Sequence, residues 1–258
     1  MGGATANATW FRIIRPTSGA MHNGTEATAV KFTGTTHTLR GNEIGAQVQD
    51  VAAQVTANQS GDRYGVWLAK SDSKTIGCFS HDAANSGTGD ALAFVISDGF
   101  IRLCEGVRAD QAGYQLTHAD AENCLAYACA DGFTRGFGTV VVTNCVSTFS
   151  SGSDFPGPPT STTFSMSGDA TATGTGSVAY SDDNAFTFVN VGADDYHLDG
   201  SDTGAKDLGT DLSGTFDDDI DFDIVTSWSA GHDAQVAAGA GAGAWPSPTK
   251  RMAYLLNR

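Results

Sequence analysis

The sequence predicts an all-β fold in which short strands repeat and stack into a solenoid, and three observations carry that prediction. Glycine is abundant, 32 of the 258 positions, while only 17% of the side chains are charged, a balance that suits turn-rich strands and not helical bundles. Four cysteines, Cys78, Cys104, Cys124 and Cys145, recur in extended-looking runs at nearly regular intervals. A glycine-led strand stands at a near-constant distance before three of them, Gly65 before Cys78, Gly113 before Cys124 and Gly132 before Cys145.

Taken in order, Phe11-Arg12-Ile13-Ile14 and Ala29-Val30-Lys31-Phe32 read as strands that end in Pro or Gly turns. Val48-Gln49-Asp50-Val51 follows, with Val51 one repeat ahead of Cys78 and in the place that the cysteine takes later. The cysteine runs are Ile76-Gly77-Cys78-Phe79, Arg102-Leu103-Cys104-Glu105, Glu122-Asn123-Cys124-Leu125 and Thr143-Asn144-Cys145-Val146. Their glycine-led partners are Gly65-Val66-Trp67-Leu68, Gly113-Tyr114-Gln115-Leu116 and Gly132-Phe133-Thr134-Arg135. The unit is therefore glycine turn, strand, polar turn, strand with cysteine. Units this short cannot each bury a core, but stacking them brings equivalent inward side chains into contact along one axis.

The runs from Gly113 to Cys124 and from Gly132 to Cys145 resemble the parallel β-helix repeat family found in pectate-lyase-like proteins and in many phage proteins. The resemblance covers about residues 60–150 and implies a single-stranded right-handed parallel β-helix. Further on, Asp195-Tyr196-His197-Leu198, the stretch Gly204 to Leu212, and Ser227-Trp228-Ser229-Ala230-Gly231 resemble the closing coils of such proteins, with Ser229 and Ala230 departing from the last pattern. One β-helix domain is thus expected over residues 1–235, with closing coils over about 177–235. Residues 150–176, rich in Ser, Thr, Gly and Pro, read as a surface loop or short β excursion between coils. Residues 236–258 form an Ala/Gly spacer and a C-terminal tail.

The net charge of −15 argues against an extended phosphate-binding face, because nonspecific nucleic-acid affinity rests on Lys and Arg displacing counterions. No run approaches the roughly 20 apolar residues of a membrane span, and Met1 to Trp10 has neither a charged n-region nor an apolar h-region. Five cysteines, an odd number without a dense framework, suit folding in a reduced compartment.

The chemistry-bearing residues each have a plainer reading beside the functional one. Cys78, Cys104, Cys124 and Cys145 are spaced by the repeat and not as Cys-x-x-Cys zinc pairs, so they form a structural ladder of small buried side chains. A disulfide between neighbouring coils is the minority alternative, and Cys129 falls outside the ladder. For polysaccharide cleavage, Asp98, Glu105, Asp131 and Arg135 are the candidates, in a set that includes Arg102, Arg108 and Asp110; surface ion pairs and turn caps explain them without catalysis. Asp217, Asp219 and Asp221 are candidate oxygen ligands for calcium, against a solvated acidic loop as the plainer reading. No other cofactor is expected. The tail residues Trp245, Lys250, Arg251, Tyr254, Leu255 and Leu256 suit either docking on another subunit or capping the chain's own solenoid end.

The resemblance, the tail and the lack of a catalytic set together point to a non-enzymatic phage virion protein, a capsid decoration or cement subunit or a tail-associated one. Its expected partners are other virion proteins and further copies of itself, a trimer by analogy, assembled in the host cytoplasm, with neither nucleic acid nor membrane. The alternatives are a β-helix protein that binds or cleaves polysaccharide through Trp67, Tyr114 and Phe133, and a calcium-stabilised adhesin.

Overall fold

The computed structural model describes residues 13–14, 30–42, 44–55, 61–84, 89–157, 161–216, 218–220, 225 and 227–233. It is nearly all β. A ten-stranded sheet contains β1 (Ile13–Ile14), β3 (His37–Gly41), β4 (Gln47–Gln49), β6 (Arg63–Leu68), β7 (Ser73–Ile76), β9 (Ala91–Arg102), β11 (Ala112–Glu122), β13 (Asp131–Arg135), β14 (Val141–Thr143) and β16 (Ser161–Thr163). An eight-stranded sheet contains β2 (Val30–Gly34), β5 (Val51–Val55), β8 (Phe79–His81), β10 (Glu105–Val107), β12 (Leu125–Tyr127), β15 (Val146–Thr148), β17 (Met166–Ser167) and β18 (Val178–Ala179). All the pairings within these two sheets are parallel. From β7 onward the chain repeatedly crosses from the first sheet to the second, as β7 to β8, β9 to β10, β11 to β12, β14 to β15 and β16 to β17.

The turns explain why the repeat is readable in sequence. From β4 onward each crossing into the eight-stranded sheet passes through one left-handed residue: Asp50, Gly77, Leu103, Asn123, Asn144 and Phe164, with φ between 47° and 59°. The residues that follow are Val51, Cys78, Cys104, Cys124, Cys145 and Ser165, and Ala52 pairs with Phe79, so Val51 does stand in the cysteine's place. Gly, Asn and Asp enter this conformation readily. Leu103 and Phe164 do so at a cost of roughly 1–2 kcal/mol each. The ladder offsets it, since Leu103 N–H donates to Glu122 O (3.1 Å) and Phe164 N–H to Thr175 O (3.0 Å).

The glycine markers have an equally physical origin. Gly65, Ala93, Gly113 and Gly132 occupy one row of the ten-stranded sheet, with Ser80, Gly106, Ala126 and Ser147 forming the facing row of the eight-stranded sheet. A Cβ at Gly65 would fall well inside contact distance of Ser80 Oγ, and one at Gly132 inside that of Ser147 Oγ. The sheets therefore meet at a narrow line where only small residues fit. Beside it, Phe94, Tyr114, Phe133 and Phe155 form a continuous stack with centroid spacings of 5.1, 4.4 and 5.4 Å and interplanar angles of 9°, 6° and 11°. Each such pair adds about 0.5–1.5 kcal/mol beyond area burial. Phe155 comes from the segment read as a surface insertion, so part of residues 150–176 belongs to the core. A Ser- and Pro-rich context hid one aromatic side chain that completes the stack.

The C-terminal stretch departs further from expectation. Of residues 177–233, Val178–Ala179 joins a large sheet as β18, whereas β19 (Phe188–Asn190) and β20 (Asp195–Leu198) pair antiparallel with one another. The segment lies on the outer face of the eight-stranded sheet. There Phe79, Val107, Leu125, Val146 and Met166 are buried together with Phe186, Tyr196, Leu198, Ala205 and Ala230. The reason is visible in the strands: Leu125-Ala126 and Val146-Ser147 place the large apolar residue outside and the small one inside, at the narrow line. A strand that is apolar on its outer face needs a cover.

Candidate functional site

Among the described residues, a dense polar arrangement lies in the seam between the eight-stranded sheet and this covering segment. Arg108 follows β10 in a left-handed turn (φ 52°), directly beside Asp82 (φ 56°), which follows β8. Its guanidinium donates to Asp82 Oδ1 through Nε (2.7 Å), to Asp194 Oδ1 through Nη1 (2.6 Å) and to the Tyr196 hydroxyl (2.9 Å). His81 Nδ1 lies 2.8 Å from Asp82 Oδ2 and 3.2 Å from Arg108 Nη2, and Gln54 Nε2 donates to Asp82 Oδ2 at 3.0 Å. Burial works against ionisation of Asp82, but hydrogen bonds from His81 and Arg108 outweigh it and hold the carboxyl well below the usual range. Asp194 is shifted the same way, burial again opposing and Arg108 prevailing.

Deeper in the seam, Glu105 is fully buried at 0% exposure and His232, at 1%, brings Nε2 to 3.2 Å from its Oε1. His197 Nδ1 lies 2.6 Å from Asp195 Oδ1, and its ring sits 6.3 Å from that of His232. Asn144 secures the far end: its Nδ2 donates to Thr210 O (2.8 Å), its Oδ1 accepts from Thr210 N–H (2.7 Å), and its own carbonyl accepts from Gly231 N–H (2.6 Å). Asn144 therefore serves both the tight turn and the docking of the covering segment. Sequence reasoning placed Asn144 in an extended cysteine run; Asp82 and Asp194 on Arg108, and Glu105 and His232, are brought together only by long-range folding.

The residues singled out for hydrolysis do not meet. Asp98 is an exposed left-handed turn residue within β9. Glu105 faces outward from the other sheet and is sealed beneath His232. Asp131 Oδ1 accepts from Ser153 N–H at 3.0 Å, a turn cap, and Arg135 is exposed at the end of β13. Sequence proximity had suggested a cluster, but the alternation of the chain between two sheets sends neighbours to different faces. Arg102 instead binds Glu122 through Nε (2.9 Å) and Nη2 (2.5 Å) while its guanidinium packs on Phe100 and Phe216, 4.8 and 4.3 Å from the ring centres.

Cys78, Cys104, Cys124 and Cys145 are free thiols, all at 0% exposure. Each directs its Sγ toward the carbonyl two positions earlier, Ile76, Arg102, Glu122 and Thr143 respectively, at 3.1–3.3 Å, and Ser165 repeats the contact to Thr163 O at 3.2 Å. The row thus satisfies a turn carbonyl with a weak, compact donor. Cys129 lies outside it, with Sγ 3.4 Å from Gly106 O, and burial pushes its thiol up to about 12. Burial likewise raises Cys104 and Cys145, whereas Cys124 between them is lowered, burial opposing, by hydrogen bonds from both; all three are sealed from solvent, which suits packing.

Tyr114 and Phe133 are fully buried in the aromatic stack and present no ring to a sugar. Trp67 is partly exposed on the outer face of the ten-stranded sheet, where the Arg40 guanidinium lies 4.0 Å from its ring and His37 stacks on it at 5.3 Å. Of the acidic candidates, Asp219 is buried at 1% exposure, while Asp217 and Asp221 lie outside the described residues. Among the described residues no group of three or more His, Cys, Asp or Glu is arranged to hold a metal ion. Trp245, Lys250, Arg251, Tyr254, Leu255 and Leu256 also lie outside the described residues. No family model, curated protein or solved structure matches the chain.

Proposed function

We propose that this chain is a non-enzymatic structural subunit of a phage particle, a capsid decoration or cement protein or a tail-associated one, built as a single-stranded right-handed parallel β-helix. The solenoid reading is supported by the parallel register of both large sheets and by the nearly regular recurrence of the left-handed turns from Asp50 to Phe164. The observation that carries the functional reading is where the polar side chains go. Arg108, Asp82, Asp194 and Asn144 fasten one layer of the protein to another, and Arg102 with Glu122 braces one outer face. A protein that invests its ionic groups in bracing its own layers suits a load-carrying role. Placement in a virion, and assembly as a trimer, rest on the family resemblance.

Co-sedimentation with purified capsids and tails, beside a screen for cleavage of bacterial surface polysaccharides, tests this reading. Saturable particle binding with no cleavage is the expected result. Cleavage without particle binding would replace it with the polysaccharide reading, for which Trp67 is the remaining exposed aromatic of the three proposed.

A further inference from the structure

The described residues of 180–233 form a layer with much of its bonding internal. Gly209 N–H donates to Trp228 O (2.8 Å), Ala230 N–H to Ala205 O (2.9 Å) and Asp199 N–H to Thr187 O (2.8 Å), and Asp233 Oδ2 accepts from Leu198 N–H (2.8 Å). Asp202 similarly accepts from Thr187, Ala205 and Lys206 of the same layer. Its attachment to the body combines apolar contact, centred on Tyr196 and Leu198 and on Phe216 and Trp228 against Leu103, hydrogen bonds between Asn144 and Thr210 and Gly231, and the ionic contact centred on Arg108. We propose that this layer is a releasable strap, fastened by the Arg108 bridge between Asp82 of the body and Asp194 of the strap, and that acid opens the clasp and uncovers the apolar outer face of the eight-stranded sheet.

The charges around the clasp give the direction. At neutral pH Arg108 lies between two carboxylates. Protonating Asp82 and Asp194 removes the negative charge that holds the guanidinium on both sides, and the His81 ring lies 3.2 Å from it on the body. Asp183 of the strap also faces the body, its Oδ1 accepting from the Thr148 hydroxyl (2.8 Å) and Phe149 N–H (2.6 Å). Glu105 of the body and His232 of the strap also face one another, Nε2 lying 3.2 Å from Oε1. His197 with Asp195, and the carboxylates Asp202 and Asp233, belong to the strap and travel with it. Tyr127 and Tyr196, both raised by burial, stay neutral throughout the acid range. Because Asp82 and Asp194 are held below the usual range, the clasp is at full strength above the ordinary carboxylate value of about 4 and weakens as pH falls toward their lowered values. Release is therefore a strongly acid transition.

Limited proteolysis of the full chain tests the proposal. At pH 2, pepsin is expected to cut within 180–233 at least tenfold faster than within 91–157; at pH 7, chymotrypsin is expected to cut the strap of Arg108→Gln at least tenfold faster than that of the wild type. Asp194→Asn, which alters only the strap's half of the clasp, is expected to match Arg108→Gln and decides the matter if Arg108→Gln fails to fold. A strap that resists pepsin at pH 2, cleavage that begins at equal rates in strap and body, or a wild-type rate in Asp194→Asn would overturn it.

Discussion

Adding a single methyl group at the narrow line between the sheets should destabilise the protein by an amount that depends on the row. At Gly132 a Cβ would overlap both Ser147 Oγ and the backbone oxygen of Asp154. The carbonyl is fixed by its place in the chain, and turning Ser147 away breaks its 2.8 Å hydrogen bond to the Asp154 carboxylate. Overpacking costs about 1–3 kcal/mol, and losing a hydrogen bond to a charged group adds about 1.5–3 kcal/mol. The reduced freedom of the unfolded chain returns about 0.4–1 kcal/mol. Gly132→Ala should therefore lose about 3 kcal/mol. Gly113→Ala meets Ala126 Cβ at 3.0 Å, with Cys129 Sγ and Gly132 O at 3.3 Å, so relief needs a shift of only a few tenths of an ångström. Its loss should be about 1 kcal/mol or less. Urea unfolding followed by tryptophan fluorescence gives both values, and neither glycine has positive φ, so conformational preference does not confuse the comparison. Equal losses, or a larger one at Gly113, would refute the close-approach explanation of the glycine markers.

Other expectations follow from the same contacts. Phe133→Ala, which empties the middle of the aromatic stack, should cost about 3–5 kcal/mol in urea unfolding, and a loss under about 1 kcal/mol would mean the stack is not tightly packed. Cys145→Ser should stay within about 1 kcal/mol of the wild type, because Ser165 already fills the next place in that row with the same carbonyl contact; a thiol titration should find none of the five cysteines reactive before unfolding. Asp154 is raised to about 6 by burial, against hydrogen bonds from Ser150 and Ser147. A raised carboxyl stabilises the fold fully below its unfolded value of about 4 and loses that contribution as pH rises through the folded value. The stability advantage of wild type over Asp154→Asn should accordingly be larger at pH 4.5 than at pH 7, and the reverse order would contradict the burial argument.

The parts of the fold that sequence disclosed are those in which a local constraint recurs. A left-handed turn followed by a small inward side chain favours Gly, Asn or Asp, which hold four of the six described crossings, and this is why Asn123-Cys124 and Asn144-Cys145 stand out. The narrow line likewise requires Gly113 and Gly132 just before Tyr114 and Phe133. The covering layer obeys no repeat, and its antiparallel strands at 188–190 and 195–198 lie where sequence suggested closing coils. One signal was available: the outward places of β12 and β15 hold Leu125 and Val146 where a free surface would hold polar residues. The seam was illegible for another reason. Arg108 and Asp194 are 86 residues apart, and no spacing rule connects a turn of the body with a layer that folds back over it.

The most direct test of the proposed role is the mass of the chain in solution, measured by light scattering alone and then with capsids or tails. The account predicts a stable oligomer, three copies by analogy, that joins the particles in saturable fashion. A monomer that ignores them at every concentration tried would contradict it.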